Sequence, residues 1–283
     1  MKPLVSIVIP TFNSQKTLRR TLNSLKNQTY KNTELIVADG FSKDKTIDIA
    51  KQFGAKVIYA QELVEARFLG MKSAKGKYIF AFDSDQMIKK TIIEKCVKKM
   101  EDKMLDALIL NEKSVVRKGK LIERLLSYDK EIVSNSKDAH PLYGAVIPRF
   151  FNREKLLKLR WPKHVSILDD AILFHKNKTK LKIDFLEGDG IYHNEVDSWK
   201  VFFRKFKRYG LLYIPTMKAS SKTTLAHSFP RRAYFKSNVI KKPEMLFGVL
   251  LLYTAKACAV SIGIGEYLIT EIVRVPKKSK YLL

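Results

Sequence analysis

The chain has 283 residues, 46% of them apolar, and its 54 Lys and Arg against 28 Asp and Glu leave a net charge of +26. This length fits one large α/β domain or a domain with an appendage, and 12 Gly with 9 Pro exclude a low-complexity sequence. The charge predicts an anionic partner, which is nucleic acid, a phospholipid surface or a phosphorylated substrate.

The cysteines and the N-terminal residues indicate the cellular compartment in which we expect the protein. Cys96 and Cys258 lie in separate apolar segments without the spacing of a metal site. This predicts buried thiols in a reducing compartment. Leu4–Pro10 is a strand-like run followed at once by a polar turn, so we expect no signal peptide.

Strands and helices alternate in the first half of the chain. Runs rich in β-branched residues predict strands, and apolar residues at helical spacing predict helices. The predicted strands are Leu4–Ile9, Glu34–Ala38, Lys56–Tyr59 and Tyr78–Phe82, and the predicted helices are Gln15–Asn27, Lys45–Phe53, Leu63–Ala74 and Thr91–Met100. This alternation predicts a parallel, doubly wound sheet.

The second half is less regular and then changes character. Its predicted elements are strands Ala107–Leu110 and Leu142–Ile147, helices Leu121–Val133, Arg153–Leu159 and Leu168–Lys176, and extended pieces Leu181–Phe185 and Gly190–His193. From Ser198 to Pro243 there are twelve Lys or Arg and no Asp or Glu. An apolar run, Met245–Ile269, and a basic tail, Arg274–Lys280, follow. We therefore predict one α/β domain over residues 1–197 and a basic and apolar helical region over residues 198–283.

The residues Asp83-Ser84-Asp85 directly follow the predicted strand Tyr78–Phe82. Open α/β sheets bind ligands at the carboxyl ends of their strands. Alternate residues of an extended chain point the same way, so we expect Asp83 and Asp85 to face one site with Ser84 turned aside. Two carboxylates suit a hard divalent cation that takes further ligands from a substrate diphosphate. An ordinary strand-ending turn is the alternative.

Four ordered motifs resemble a known family. They are VSIVIPTFN at Val5–Asn13, ELIVADGFSKDKT at Glu34–Thr46, ARFLG with KGKYIFAFDSD between Ala66 and Asp85, and Leu168-Asp169-Asp170 before a helix. Together they resemble the inverting glycosyltransferases of family 2, which have the GT-A fold. Four motifs in the right order are far more specific than any one of them. Phe68 stands where the family usually has Asn.

The resemblance implies a Rossmann-like, mostly parallel sheet flanked by helices, with a nucleotide-sugar half before residue 111 and an acceptor half after it. The implied donor is a nucleotide-diphosphate sugar. Asp39 would hydrogen-bond the nucleobase, and Arg67 would assist at the diphosphate unless it is an exposed helix arginine. The implied donor-binding residues are Pro10, Thr11, Asn13, Asp39, Arg67, Asp83 and Ser84.

The same resemblance implies a metal site and a base. Asp85 and Asp83 would hold Mn²⁺ or Mg²⁺, which offsets charge on the departing diphosphate. His193 is a further candidate ligand because imidazole binds Mn²⁺, and a structural histidine is its alternative. Asp170 is the candidate general base, with Asp169 second, and a helix cap is the alternative role.

The apolar run Met245–Ile269 is long enough to cross a bilayer, but Lys256 lies near its middle. A transmembrane helix, an in-plane helix or hairpin, and a pair of core helices all stay open. The basic and aromatic zone before it favours a helix lying on an anionic membrane, with a solvated basic helix as the alternative. We expect a peripheral or monotopic protein on the cytoplasmic side of the cell membrane. Four aromatic side chains would then lie at headgroup depth: Trp199, Phe202, Phe203 and Phe206.

These observations predict a metal-dependent inverting glycosyltransferase that moves a sugar from a UDP-sugar or GDP-mannose to a hydroxyl of a lipid-linked or glycan acceptor. A polyprenyl phosphate is the second acceptor, since an anionic nucleophile has little need of Asp170 as a base. The rival from a different class is a basic nucleic-acid-binding module. No helix-turn-helix, zinc or RNA-recognition motif supports it, so we expect no nucleic-acid partner. A non-catalytic scaffold is the third possibility, and the retained Asp83, Asp85 and Asp170 argue against it.

Overall fold

The structure is a computed structural model that describes residues 1–116, 120–134, 147–162, 165, 167–177, 180–228 and 243–272. The strands are β1 (Val5–Thr11), β2 (Thr33–Asp39), β3 (Lys56–Tyr59), β4 (Tyr78–Ala81), β5 (Gln86–Ile88), β6 (Ala107–Val115), β7 (Pro148–Asn152) and β8 (Ile183–Asn194). The helices are α1 (Gln15–Lys26), α2 (Thr46–Gln52), α3 (Leu63–Lys72), α4 (Ile92–Lys103), α5 (Leu121–Ser134), α6 (Arg153–Leu157), α7 (Asp169–Asn177), α8 (Trp199–Ala219), α9 (Ser221–Ser228) and α10 (Pro243–Ile272).

The eight strands form a single sheet in the order β3-β2-β1-β4-β7-β6-β8-β5. Strands β1 to β4 are parallel, β7 runs antiparallel to β4 and β6, and β8 is parallel to β6 and antiparallel to β5. Six strands therefore share one direction, which confirms the predicted mostly parallel sheet. The carboxyl ends of β4, β6 and β8 and the start of β7 consequently meet at one edge.

Helices cover both faces of the sheet. On one face α1, α2 and α4 bury Leu22, Ile49 and Ile93 against strand residues such as Phe80. On the other face α6 and α7 bury Leu156 and Phe174 among strand residues, together with Met71 of α3. Burial on both faces explains why the strands of the first half are continuous apolar runs instead of alternating ones.

Strand β8 joins two segments that the sequence suggested as separate extended pieces. Its pairing with β6 shifts register between Leu110 and Glu112, and Gly188 has a φ of +84°. At Gly190 an added Cβ would lie 1.7 Å from the carbonyl oxygen of Asn111, so only glycine permits this close approach. Beyond this irregularity β8 continues to the edge where the candidate site lies.

The C-terminal helices pack on one another and on α5. Helices α8 and α10 cross at Gly210 and Gly263, where an added Cβ would lie 2.1 Å from a backbone oxygen of the other helix. Nearby, Phe202 and Leu252 are buried with Ile122 of α5. The apolar run therefore forms one helix with a packed inner face. The proposed division at residue 197 falls just before α8 begins and stays a prediction.

Several details differ from the sequence-based expectations. Strands β5 and β7 were not predicted, because three and five residues give little periodicity. Cys96 is buried as expected, but the prediction of a buried Cys258 is wrong, since its thiol lies on the exposed side of α10. Phe202 is fully buried, so its placement at headgroup depth is also wrong. The predicted strand Leu142–Ile147, except for its last residue, and the basic tail lie outside the described residues.

Candidate active site

The loops after β1 and β2 are joined around Asp39. Thr11 Oγ1 donates to Asp39 Oδ1 at 2.6 Å, Ser42 Oγ donates to the same oxygen at 2.6 Å, and the Ser42 amide donates to Oδ2 at 2.7 Å. The amide of Asn13, which has a φ of +46°, donates to Ser42 Oγ at 2.8 Å. Asp39 is completely buried. Its carboxylate thus fixes the shape of both loops, and only Oδ2 has a lone pair left for a ligand.

Aromatic rings that the sequence did not single out surround these loops. Phe41 and Tyr59 stack with ring centroids 5.4 Å apart, and both rings are about half exposed. Phe41 has a φ of +62°, an uncommon conformation for a bulky residue. Phe12 lies beside Gly40, whose added Cβ would be 3.2 Å from the ring. The edge of the sheet therefore presents planar apolar surface next to Asp39.

Asp83 lies between two arginines. Arg67 Nη2 donates to Asp83 Oδ1 at 3.1 Å, and Arg149 Nη2 lies 3.1 Å from Oδ2. Burial by itself raises the pKa of Asp83, but Arg149 and Arg67 lower it to about 2. Because β4 ends at Ala81, residues 83–85 form a turn, and the alternation expected for an extended chain does not apply.

Asp169 and Asp170 begin α7 and share the same arginine. Arg67 Nη1 donates to Oδ2 of each carboxylate at 2.8 Å, and Arg149 Nη1 lies 3.9 Å from Asp170. Burial raises the pKa of Asp169 despite the neighbouring Arg67. Arg67 is therefore not the exposed helix arginine of the alternative interpretation. It holds three predicted site carboxylates together.

Arg149 and Glu112 are functional candidates that the sequence did not reveal. Arg149 donates to Glu112 Oε1 from Nε at 3.2 Å and from Nη2 at 2.8 Å. Gln86 Nε2 bridges Asp83 and Glu112 at 3.2 and 3.3 Å. No motif marks Arg149, since it reaches the site only through the antiparallel strand β7. A narrow pocket lined by Pro10, Arg67, Asp83, Arg149 and Asp170, among others, opens here.

Asp85 and His193 form a second group. The pairing of β5 with β8 sets His193 opposite Gln86, and His193 Nε2 lies 3.3 Å from Asp85 Oδ2. On the other side of the ring, Nδ1 is buried and lies 3.5 Å from Glu195 Oε1. Burial lowers the pKa of His193, but Asp85 and Glu195 outweigh this effect and raise it to about 9. The side chain of Asp85 is 38% exposed.

The side chains of Ser84 and Phe68 point neither to the carboxylates around Arg67 and Arg149 nor to the Asp85–His193 pair. Ser84 Oγ lies 3.0 Å from Ser14 Oγ, and its carbonyl accepts from Thr21 Oγ1 at 2.9 Å. Ser84 thus ties the Asp-Ser-Asp turn to α1. The ring of Phe68 packs on Trp161 with centroids 5.4 Å apart, so packing occupies the position where the resembling family usually has Asn.

The residues fit a divalent cation only in part. Within the described ranges no three His, Cys, Asp or Glu side chains are arranged as a complete metal site. Asp85 and His193 supply one oxygen and one nitrogen donor, and both oxygens of Asp83 are occupied by arginines. Carboxylates also outnumber permanent cations in this region, which favours added positive charge. Asp85 and His193 therefore fit a cation that completes its coordination with substrate oxygens.

Comparison with known proteins identifies the family. The model of the family described as "Glycosyl transferase family 2" matches residues 6–176, more than half of the chain. The chain belongs to glycosyl transferase family 2. This confirms the resemblance seen in the sequence motifs.

Relatives of this family 2 member include an uncharacterized glycosyltransferase of Rickettsia prowazekii. It is 28% identical over 206 residues, which cover 71% of this chain and 59% of that protein. The poly(ribitol-phosphate) β-N-acetylglucosaminyltransferase TarP of Staphylococcus aureus is 31% identical over 166 residues, 54% of this chain and 50% of TarP. The matches thus span little more than half the length of these relatives.

Solved structures establish the fold of this family 2 member. Residues 1–349 of S. aureus TarS in complex with UDP-GlcNAc superpose with a TM-score of 0.57 at 18% identity, covering 98% of this chain and 93% of that one. The mannosyltransferase PcManGT from Pyrobaculum calidifontis, in complex with GDP-Man and Mn²⁺, gives a TM-score of 0.55 at 17% identity, with 100% and 85% covered. The predicted GT-A-like α/β fold is confirmed.

Proposed function

We propose that this protein is a metal-dependent inverting glycosyltransferase that moves a sugar from a nucleotide-diphosphate donor to an acceptor hydroxyl. One observation carries the proposal: Asp83, Asp170 and the Asp85–His193 pair meet at the carboxyl edge of a family 2 fold. Donor complexes of structural neighbours contain UDP-GlcNAc or GDP-Man. They support a UDP-sugar or GDP-mannose as donor.

The donor nucleotide would lie across the loops after β1 and β2. The backbone of Pro10 to Asn13 would lie beneath it, with Asp39 Oδ2 facing the nucleobase. The Phe41–Tyr59 pair offers a surface on which a planar base stacks. Arg67 and Arg149 bring two guanidinium groups to the pocket, where they would stabilise a diphosphate.

Asp85 and His193 would hold the cation, Mn²⁺ or Mg²⁺. The cation, when bound, supplies Lewis-acid stabilisation of the negative charge on the leaving diphosphate. Asp83 contributes less directly, because its two oxygens accept from Arg67 and Arg149. We assign it to the donor side of the site, where it orients both guanidinium groups.

Asp170 would act as the general base. It would accept the proton of the acceptor hydroxyl while that oxygen attacks the anomeric carbon opposite the diphosphate, which inverts the configuration. In the structure, Asp170 Oδ2 accepts from Arg67 Nη1. Movement of Arg67 towards the donor diphosphate would free Asp170, and Asp169 would retain its position at the start of α7. This requirement for a base favours a hydroxyl acceptor over a polyprenyl phosphate.

We also propose a peripheral or monotopic position on the cytoplasmic side of the cell membrane. Residues Leu246–Glu271 form a helix segment long and apolar enough to cross a membrane. However, its internal charges Lys256 and Glu266 pair with Asp129 and Lys207, and the side chain of Lys256 is only 19% exposed. Apart from the partly exposed Glu266, the exposed side between residues 247 and 269 is uncharged and includes Phe247, Leu250, Leu251, Cys258, Ile262, Leu268 and Ile269.

Helix α8 supplies the complementary charge. Lys200, Arg204, Lys205 and Arg208 are exposed along it, and each basic residue near an anionic surface contributes about 1 kcal/mol. Because the inner face of α10 packs on α5 and α8, an in-plane position keeps these charged helices out of the hydrocarbon. A lipid-linked acceptor would then meet the site at the membrane surface.

A binding and turnover screen tests the proposal. We expect UDP or GDP to bind in the presence of Mn²⁺, and one of UDP-GlcNAc, UDP-glucose or GDP-mannose to be hydrolysed slowly in the absence of acceptor. Salt-sensitive binding of a generic oligonucleotide, with no nucleotide bound in calorimetry, would support the nucleic-acid-binding rival instead.

A further inference from the structure

Two consecutive residues of α5, Asp129 and Lys130, connect the candidate metal site with the C-terminal helix. Asp129 pairs with a side chain of α10, and Lys130 pairs with a side chain next to His193. Neighbouring residues on a helix point in directions about 100° apart, so one turn of α5 reaches both structures.

On the side of the candidate metal site, Lys130 of α5 contacts Glu195. Lys130 Nζ lies 2.7 Å from Glu195 Oε1, and Ser114 Oγ donates to the same oxygen at 2.7 Å. The side chain of Glu195 is 8% exposed. Its Oε1 lies 3.5 Å from His193 Nδ1, which makes no hydrogen bond among the described residues, so Glu195 acts on the ring by its charge, while Nε2 of His193 faces Asp85. A carboxylate behind a ligating histidine fixes the orientation of the ring and which nitrogen is free for a metal.

The contact towards α10 runs through Lys256. Its Nζ lies 3.1 Å from Asp129 Oδ2 and within 4.4 Å of the Tyr253 ring centroid, and Tyr253 Oη donates to Asp129 Oδ1 at 3.4 Å. The side chains of Lys256 and Asp129 are 19% and 15% exposed. A partly buried charge requires its partner, so this pair holds α10 on α5 together with the apolar contact of Leu252 with Ile122.

We propose that α10 positions the metal ligand His193 through a chain of side chains: Lys256, Asp129, Lys130 and Glu195. The Lys256–Asp129 ion pair sets the position of α5 relative to α10. Lys130 of α5 then holds Glu195, and Glu195 orients the imidazole ring of His193. These four are positioning residues and do not touch substrate. The inference rests on the proposed function only in taking His193 as a metal ligand. It gives the apolar helix a second role beside membrane contact.

Lys256→Met in the full-length protein tests the connection. Met keeps the apolar stem and removes the charge. Glu266→Gln is the matched control, because it breaks a different ion pair of α10, with Lys207 at 2.5 Å, and this pair does not involve α5. Asp129→Asn combined with Lys256→Met removes both charges of the pair and so separates the loss of the ion pair from the effect of the charge left on Asp129.

Amide hydrogen exchange of the metal-free protein gives the first readout. We expect Lys256→Met and the double variant to speed exchange of residues 191–195 by about threefold or more, within the range of coupling in one side-chain network. Glu266→Gln should leave this segment unchanged. Unchanged exchange at 191–195 in Lys256→Met, or recovery in the double variant, would overturn the proposal. Recovery would mean that the charge remaining on Asp129, and not the lost contact with α10, had altered the exchange.

Calorimetry of Mn²⁺ with UDP or GDP gives the second readout. Glu195→Gln should weaken Mn²⁺-dependent nucleotide binding by about 10-fold, the usual effect of a residue behind a metal ligand, and Lys256→Met by less. If the wild type binds no nucleotide with Mn²⁺, the proposed function fails, and hydrogen exchange still decides the connection. If it binds and Glu195→Gln binds equally well, the positioning of His193 is refuted.

Discussion

Asp83 and Asp85 are two residues apart and have the same side chain, yet their surroundings differ. Asp83 accepts from Arg67 and Arg149, and these cations lower its pKa to about 2. Asp85 is more exposed and lies 3.3 Å from His193. The first carboxylate is neutralised by the protein itself. The second is left with a histidine and open space, which is the arrangement that a cation with substrate ligands requires.

The comparison extends to the rest of the site. Asp169 and Asp170 belong with Asp83, since Arg67 bonds all three. Glu195 belongs with Asp85, since both face His193. A pair of aspartates in a short motif therefore need not share a role. In this protein Asp83 contacts the two guanidinium groups, and Asp85 is the residue that we propose as a metal ligand.

Asp170→Asn tests the guanidinium side of the comparison by removing the proposed base. We expect transfer to a hydroxyl acceptor to fall by about 10³-fold, within the range for a general base, while donor affinity is retained. Steady-state transfer rates and calorimetry with the nucleotide measure the two quantities. An equal loss of donor binding would show that Asp170 holds the site together and is not the base.

Asp83→Asn tests whether the neutralised aspartate is structural. The substitution leaves two buried guanidinium groups with one carboxylate fewer, and we expect a loss of about 2 kcal/mol in the free energy of unfolding. The expected loss in the free energy of unfolding is smaller than for a fully unpaired buried charge, because Arg67 and Arg149 keep other partners. Denaturant unfolding measures it. Asp85→Asn is the control and should cost less than Asp83→Asn, because it weakens one contact to His193 and leaves both guanidinium groups paired; equal losses would contradict the proposed difference between the two aspartates.

Asp85→Ala tests the Asp85–His193 side of the comparison, where we propose that the cation binds. We expect Mn²⁺-dependent nucleotide affinity to fall by about 10-fold, with little change in the metal-free affinity, since Asp83 and the arginines are unaffected. Calorimetry with and without Mn²⁺ separates the two contributions. Unchanged affinity with Mn²⁺ would exclude Asp85 as a ligand, and Asp83 would then have to exchange its arginines for the cation.

The smallest expected effect is a difference in alkylation between the two cysteines. It compares the buried Cys96 with Cys258 on the side of α10 that we propose to contact the membrane. Burial raises the pKa of the Cys96 thiol, so it should resist alkylation, whereas Cys258 on the exposed side of α10 should react. We expect anionic liposomes to slow labelling of Cys258 by a few fold, and salt to reduce this protection. Mass spectrometry of the alkylated protein measures both sites. Liposome binding without protection of Cys258 would exclude the exposed face of α10 as the contact.

Much of the catalytic sheet was predictable because its signals are local. Strands β1 to β4 and their helices follow from apolar runs separated by turn residues, and the observed ends differ from the predicted ones by a few residues. The roles proposed for Asp83, Asp85, Asp170 and His193 stay predictions. What the structure adds is which of them lie together.

The sequence by itself determined strands β1 to β4 with the helices between them, the Asp-Ser-Asp turn after β4 and the unusual charge of the C-terminal third, since each depends on neighbouring residues. Only the tertiary structure decided that Arg149 joins Asp83, and that Asp85 joins His193. The reason is that these contacts come from β7 against β4 and β5 against β8, pairings between distant segments. The direction of Lys256 was likewise decided by packing, because a charge in an apolar helix turns to whichever side offers a partner, and here that partner is Asp129.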